Sequence, residues 1–421
     1  MNYILATPNI TKIGGAELYA LRRIKYLKNN YSNINIILLT NEYNEKDLIL
    51  KEFNQFEILK VNRKIQDDLP LKQNIEYLSN LLKTKLNLKT ETIIETNCFF
   101  MKTLEKVADK LEAKYYIYLT SETPFFQDKN LKFYLEKMKR GELIGVCKET
   151  LRISFGQYYK EEFNRYVNIG FNSEEIKSNL VKTKELNLEK NKNFFRIIII
   201  SRLEKKYVEK AIKEVIKVVQ KHQELNIELI IIGDSADGKE RKRLEREYIS
   251  NKNLRIRFLG YVNPIFQELY LNSDLFIGMG TALVNASAFG CTSLGIDPRN
   301  SKASGFLGID LFSFAYSDDD RTYGISDKIK EYIFLSDERK NDYKKRTKEF
   351  FNKEYDFKTV MKKLDSYIFE KKENKSSIEI KIYKSLVLKY YLKVICCKLG
   401  IKEYVKEIYK KINTRKNFLE V

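Results

Sequence analysis

Residues 195–206 read FRIIIISRLEKK and residues 227–238 read IELIIIGDSADG. Each is an apolar run of strand length that closes on small, polar or basic residues. LRIRFLGY (254–261), SDLFIGMG (273–280) and ALVNASAFGCTSLGID (282–297) continue the series, with Lys/Glu-rich helical patterns between the runs. Apolar runs of about four to eight residues alternating with helical stretches predict a βαβαβαβ unit with a parallel sheet. Ligands of such sheets bind beside the loops at the carboxyl ends of the strands. Here those loops are SRLEKK, GDSADG, GYVNP and GMGTAL. They are glycine-bearing, small or basic, as an anionic ligand of the nucleotide type requires.

Upstream the same alternation recurs. Strands are expected at Asn2–Thr7, Ile34–Leu39, Phe56–Val61, Thr92–Glu95, Lys114–Leu119 and Leu143–Cys147, with helices at Ala16–Leu27, Ile75–Leu86 and Met101–Leu111. Gly14 and Gly15 let the first strand turn tightly into its helix, whose opening amides suit an anion. Many strand-to-helix turns use such a pair without binding anything. Downstream, PRNSKASGFLG reads as a loop with Gly305 at its tip. Asp318, Asp319 and Asp320 read as turn caps rather than a metal site. Helices follow at Ile325–Leu335, Glu338–Phe351 and Asp356–Glu370. The expected organisation is an α/β domain over 1–172, a polar linker over 173–193, a second α/β domain over 194–355, a returning helix over 356–370 and a basic helical tail over 371–421.

Composition narrows the functional classes. A chain of 421 residues has room for two or three domains. It lacks a run of ~20 uncharged apolar residues, and its start lacks the pattern of a signal peptide. The five cysteines, Cys98, Cys147, Cys291, Cys396 and Cys397, have no CxxC spacing, so neither a disulfide framework nor zinc is expected. These features together predict a reduced, cytoplasmic protein. His222 is the single histidine and falls on a surface-type pattern, which leaves Ser-His-Asp catalysis without material. The formal charge of +20 suits phosphorylated ligands or anionic membranes. The lysines are spread along the whole chain, however, and no basic–aromatic motif points to nucleic acid.

The ordered set SRL…K, IIGD, FLGY and G-x-A-x-x-x-A-x-A-x-G resembles the carboxyl-terminal half of retaining glycosyltransferases of the family-four, group 1 type, over roughly the first 360 residues. The resemblance implies the GT-B fold: two facing Rossmann-like domains that transfer a sugar from a nucleotide-diphosphate sugar, with no cofactor and no metal. It places Gly14 and Gly15 beside the donor phosphates and the acceptor, and Arg202 and Lys206 on the diphosphate. The spacing is one residue shorter than usual, which leaves Lys205 as the alternative to Lys206. The resemblance also implies binding by Gly233 and Asp234, by Gly260 and Tyr261 at the base, and by Gly280, Thr281, Ala282 and Leu283 through the amides opening a helix that Gly290 closes. YVNIGFN (166–172) resembles the crossing between domains, and Asp356–Glu370 the helix that returns to the first.

Three departures stand out. The family commonly carries two glutamates eight positions apart; here those positions are Ile277 and Asn285, and an asparagine reads a ribose diol without charge assistance. Ser201 replaces a usual glycine. A histidine that touches the sugar in the family has no counterpart, which leaves Glu122 or Glu95 at that edge of the cleft, though carboxylates in such turns also cap helices. The expected activity is transfer to a surface-glycan or lipid-linked acceptor. The rival readings are a catalytically silent binding subunit, a nucleotide-sugar epimerase and, last, a nucleic-acid binder. The tail holds fourteen Lys/Arg and five Asp/Glu. Tyr383, Leu386, Val387, Tyr390, Val394 and Cys397 share one helical face, which suits peripheral contact with an anionic membrane or packing on protein.

Overall fold

The computed structural model describes residues 1–11, 15–43, 50–61, 69–97, 100–120, 131–163, 165–235, 237–314, 316–317, 320–370 and 378. Gly14, Glu122, Asp318, Asp319 and the tail beyond residue 378 lie outside the described residues.

The first sheet is parallel throughout. Its strands are β1 (Asn2–Ala6), β3 (Asn35–Thr40), β5 (Glu57–Lys60), β6 (Thr92–Thr96), β7 (Lys114–Leu119) and β8 (Leu143–Gly145), in the order β5-β3-β1-β6-β7-β8. A small parallel pair, β2 (Asn9–Ile10) with β4 (Glu42–Tyr43), lies beside it. Sequences such as YILA and IILL are apolar on both faces because helices cover both sides. Those helices are α1 (Gly15–Asn30), α2 (Lys72–Lys83), α3 (Met101–Lys110), α4 (Leu131–Lys139) and α5 (Lys148–Phe155).

The second sheet takes the order β11-β10-β9-β12-β13-β14. It is built from β9 (Phe195–Ile200), β10 (Ile227–Ile232), β11 (Leu254–Gly260), β12 (Leu275–Gly278), β13 (Thr292–Ile296) and β14 (Ala303–Phe306). α6 (Leu180–Glu185), α7 (Lys206–Lys221), α8 (Lys239–Glu247), α9 (Glu268–Leu271), α10 (Thr281–Ala288), α11 (Ile325–Ile333) and α12 (Asp337–Glu354) accompany it. α7 buries Tyr207, Val208, Ala211, Ile212, Val215, Val218 and Val219, a stripe at three- and four-residue spacing that fixes the helix against the strands. One expectation is corrected here. The stretch read as a loop with Gly305 at its tip is β14, an antiparallel edge strand on β13. Gly305 sits inside it at φ 137°, with Asp310 occupying the space a side chain would need.

In both sheets the strand order reverses once, between β1 and β6 and between β9 and β12. These switch points are where an open α/β sheet leaves a crevice.

Residues 173–193, expected as a polar linker, are stitched to the second sheet. Arg196 donates to the carbonyls of Leu188 (2.7 Å) and Glu189 (2.8 Å), Arg257 donates to that of Asn187 (2.8 Å), and Leu188 is buried. The chain passes between the sheets twice, side by side: the Phe171 amide donates to the Tyr355 carbonyl (2.9 Å) and the Phe357 amide to that of Phe171 (3.2 Å). α13 (Phe357–Ile368) then packs Val360, Met361, Leu364 and Ile368 against Tyr3, Leu5, Ile24 and Leu27 of the first domain. Its Asp365 accepts from Arg23 (2.6 Å) and Tyr31 (2.6 Å).

Cys147 and Cys291 are buried, and burial pushes both thiols up to about 12. Since the thiolate is the nucleophile, neither cysteine should be alkylated by iodoacetamide at pH 8 in the native protein, and both should be after unfolding. Peptide mass spectrometry checks this; rapid native labelling of either would contradict it.

Candidate functional site

The crevice of the second sheet is bordered by the turn after β9 and the turn after β12. After β9, the Ser201 amide still pairs with the Ile232 carbonyl (2.9 Å), and buried Leu203 anchors the turn beneath the sheet edge. Arg202 and Lys206 are thereby left exposed, and among the described residues neither enters an ion pair. Lys206 opens α7, where the helix dipole disfavours a cation by ~0.3–1 kcal/mol. Two unpaired cations at the positive end of a helix make sense when an anion joins them.

The neighbouring loops turn on two glycines at positive φ. A Cβ on Gly233 (φ 129°) would lie 1.9 Å from the Ser201 carbonyl oxygen, and one on Gly260 (φ 67°) would lie 2.2 Å from Arg241. Arg241 was not anticipated. It fills the space over Gly260, donates to Glu245 (2.8 Å) and to the Phe258 carbonyl (3.3 Å), and stands 4.0 Å from Asp234. Asp234 also caps the Ser235 amide (2.8 Å). Tyr261, by contrast, is 76% exposed.

After β12, Gly280 at φ 63° opens α10 and donates its own amide to the Phe314 carbonyl (3.0 Å). The amides of Thr281 and Ala282 stand in the first turn, where a helix offers no acceptor of its own. Leu283 does not belong with them: its amide donates to the Gly280 carbonyl (3.1 Å) and its side chain is fully buried in the core. Ile277 is likewise a core residue, fully buried among the second sheet's apolar side chains, so a carboxylate there would point into the interior. Asn285, one turn into α10, lies beside the buried Tyr270 phenol, and its Oδ1 is buried without a hydrogen-bond partner.

A pocket of about 240 Å³ joins the two domains. Gly15 and Arg22 of α1 line it from the first, and Thr281 and Asn285 of α10 from the second, beside Phe171 and Tyr355 of the crossings. Of the anticipated residues, Gly15, Thr281 and Asn285 therefore meet in one cavity. Arg202 and Lys206 stand at the switch point, while Asp234, Gly260 and Tyr261 flank its outer side. Glu95 is excluded from the cleft. It is fully buried inside β6 and accepts from the Tyr3 and Tyr19 hydroxyls and from Arg23 (3.3 Å). Asp320 bridges Arg152 (2.7 Å) and Arg299 (2.9 Å). Arg22, which sequence reasoning missed, lies seven residues after Gly15 and hence on the same helical face. That spacing was the available signal, hidden in a helix with three other basic residues.

Residues 182–301 match the family described as Glycosyl transferases group 1. No curated protein matches the sequence. Among solved structures, a glycosyltransferase from Rickettsia africae ESF-5 is 14% identical with a TM-score of 0.65, over 87% of this chain and 97% of that one. Anabaena Alr3699/HepE in complex with UDP and glucose is 16% identical, TM-score 0.58, over 86% and 98%. The lipopolysaccharide outer core galactosyltransferase WaaB is 12% identical, TM-score 0.60, over 88% and 99%. The chain thus has the GT-B fold, and its second domain carries the match to the group 1 glycosyl transferases.

Proposed function

We propose that the protein is a glycosyltransferase that moves a sugar from a nucleoside-diphosphate donor, with retention, to a surface-glycan or lipid-linked acceptor. The observation that carries this reading is the pair of unpaired cations, Arg202 and Lys206, across one switch point from the free amides of Thr281 and Ala282. As the bond from the sugar to the diphosphate breaks, charge grows on the leaving phosphate oxygen. Fixed cations and amides aimed at that oxygen are usually the largest catalytic contribution. Among the described residues no side chain stands out as a general base. In the retaining scheme implied by the resemblance, the acceptor hydroxyl passes its proton to that same departing oxygen.

A thermal-shift screen with uridine, guanosine, adenosine and cytidine diphosphates tests the donor class. Uridine comes first, because the Anabaena relative was solved with UDP and with UDP-glucose. A nucleotide at 100 times its dissociation constant adds ~2.7 kcal/mol of stability, and no response to any of the four would sink the proposal. Arg202→Ala should weaken the preferred diphosphate by ~1.5–3 kcal/mol, the worth of a charge-assisted hydrogen bond, and leave the nucleoside unaffected. Titration calorimetry showing equal losses for both would remove Arg202 from the phosphate site.

A second reading, binding without transfer, is favoured by Ile277 and Asn285 standing where the family has glutamates. Nucleotide binding with no release of nucleoside diphosphate from any donor sugar would select it.

The tail supports work at a membrane face. No helix among the described residues is long and apolar enough to cross a membrane. Ile378 is buried in the first domain's core and its carbonyl accepts from Lys106 (2.7 Å), so the tail starts from a fixed point. The full chain should pellet with vesicles of anionic lipid at low salt, and a chain ending at Glu379 should not. Equal behaviour of the two would leave the tail a packing element.

A further inference from the structure

The interdomain pocket contains a cation, Arg22, that is not among the residues assigned above to the donor. Arg22 is held before any ligand arrives: its guanidinium lies 5.6 Å from the centre of the Phe171 ring and its side chain is only 17% exposed. Nε and Nη2 donate to Glu175 at 3.0–3.2 Å and 2.5 Å, while Nη1 has no acceptor among the described residues. Glu175 sits in a three-residue turn, and its side chain is 43% exposed. A half-exposed ion pair of this kind adds little to stability, so Glu175 is a replaceable occupant of a rigid fork. A guanidinium fork is matched to carboxylate and phosphate. Asn285 lines the same pocket, and its Oδ1 has no hydrogen-bond partner, a state that proteins rarely leave unfilled. The volume of about 240 Å³ falls below the roughly 300–1,000 Å³ of sites for larger ligands, which points to a single ring.

We propose that this pocket is an acceptor subsite for a sugar bearing an acidic group. The ligand's carboxylate or phosphate takes the place of Glu175 on Arg22, and a ligand hydroxyl bonds to the Asn285 amide at the pocket wall. The word acceptor rests on the transferase reading; the anion preference does not.

Titration calorimetry on the full chain with glucose 6-phosphate, glucuronate and glucose is the test. At least one acidic sugar should bind tenfold or more tightly than glucose, and the one that binds identifies the anion as phosphate or carboxylate. Glu175→Gln, which removes the competing charge, should tighten that sugar threefold or more. Arg22→Gln should abolish the preference. General attraction by a chain of +20 survives the loss of one arginine, so an equal preference in wild type and Arg22→Gln overturns the subsite. No binding of either acidic sugar, or weaker binding in Glu175→Gln, does the same. If Arg22→Gln does not fold, Glu175→Gln decides alone. UDP is titrated in parallel. UDP binding without Arg22-dependent sugar binding sinks the subsite and spares the donor reading; the opposite pattern spares the subsite and sinks the donor reading.

Discussion

Replacing Arg23 with alanine lowers the unfolding free energy by about 3–5 kcal/mol. The guanidinium and the Glu95 carboxylate are both fully buried, 3.3 Å apart. Arg23 also donates to the Tyr3 hydroxyl (2.9 Å) and to Asp365 (2.6 Å), and faces the Tyr3 ring at 5.2 Å. Without the cation, two carboxylates remain in the interior with hydroxyl donors alone, and a stranded buried charge is what makes breaking such a group costly. Burial and the charge of Glu95 hold the Tyr3 and Tyr19 phenols far above their ordinary range, so both stay neutral donors. Adding Glu95→Gln to Arg23→Met should recover at least half of the loss, because no charge is then left beside the two tyrosines. The chain has no tryptophan, so urea melts are followed by circular dichroism. A loss below about 1 kcal/mol for Arg23→Ala would show that water reaches the network.

The second large effect is at Gly233. Gly233→Ala forces a methyl to within 1.9 Å of the Ser201 carbonyl oxygen in a backbone conformation that side chains rarely adopt. Strain of the backbone alone costs ~1–3 kcal/mol; the collision must in addition displace Ser201, and Arg202 with it. Gly238→Ala is the control, since Gly238 has positive φ but open space around it. Gly233→Ala should lose clearly more stability than the control and weaken nucleoside diphosphate tenfold or more. Matching effects from the two would mean that the turn yields freely, and that it does not position Arg202.

Most strands of both sheets were legible because they are bounded runs rich in apolar residues. Lys114–Leu119 and Ile227–Ile232 leave no other assignment for such runs once helices cover both sides. β14 was not legible: ASGF is small and contains glycine, so its place on the sheet comes from its partner β13 rather than from its own sequence. Residues 173–193 look solvated by composition, yet their backbone carbonyls are the acceptors for Arg196 and Arg257, and composition does not report carbonyls. In the site, Arg202 and Lys206 could be located because a strand end fixes where the next residues stand. Leu283 was misplaced by helix phase. With Gly280 as the first cap, the third helical residue already turns inward and bonds back to that cap. Glu95 was misread because the strand runs one residue further, to Thr96, which places the carboxylate inside the sheet facing α1.

The attachment of α13 has a consequence for how the chain is made. The first strand leaves the ribosome early, but the surface formed by Tyr3, Leu5 and Ile24 is closed by Leu364 and Ile368. At roughly 5–20 residues per second, the interval between the two is on the order of 20–70 s. Throughout it the nascent amino-terminal half carries an uncovered apolar face, and Arg23 waits for Asp365. The second domain, encoded entirely between them, can finish first. The first domain is therefore closed only after the second has been made, so its folding depends on a segment distant in the chain.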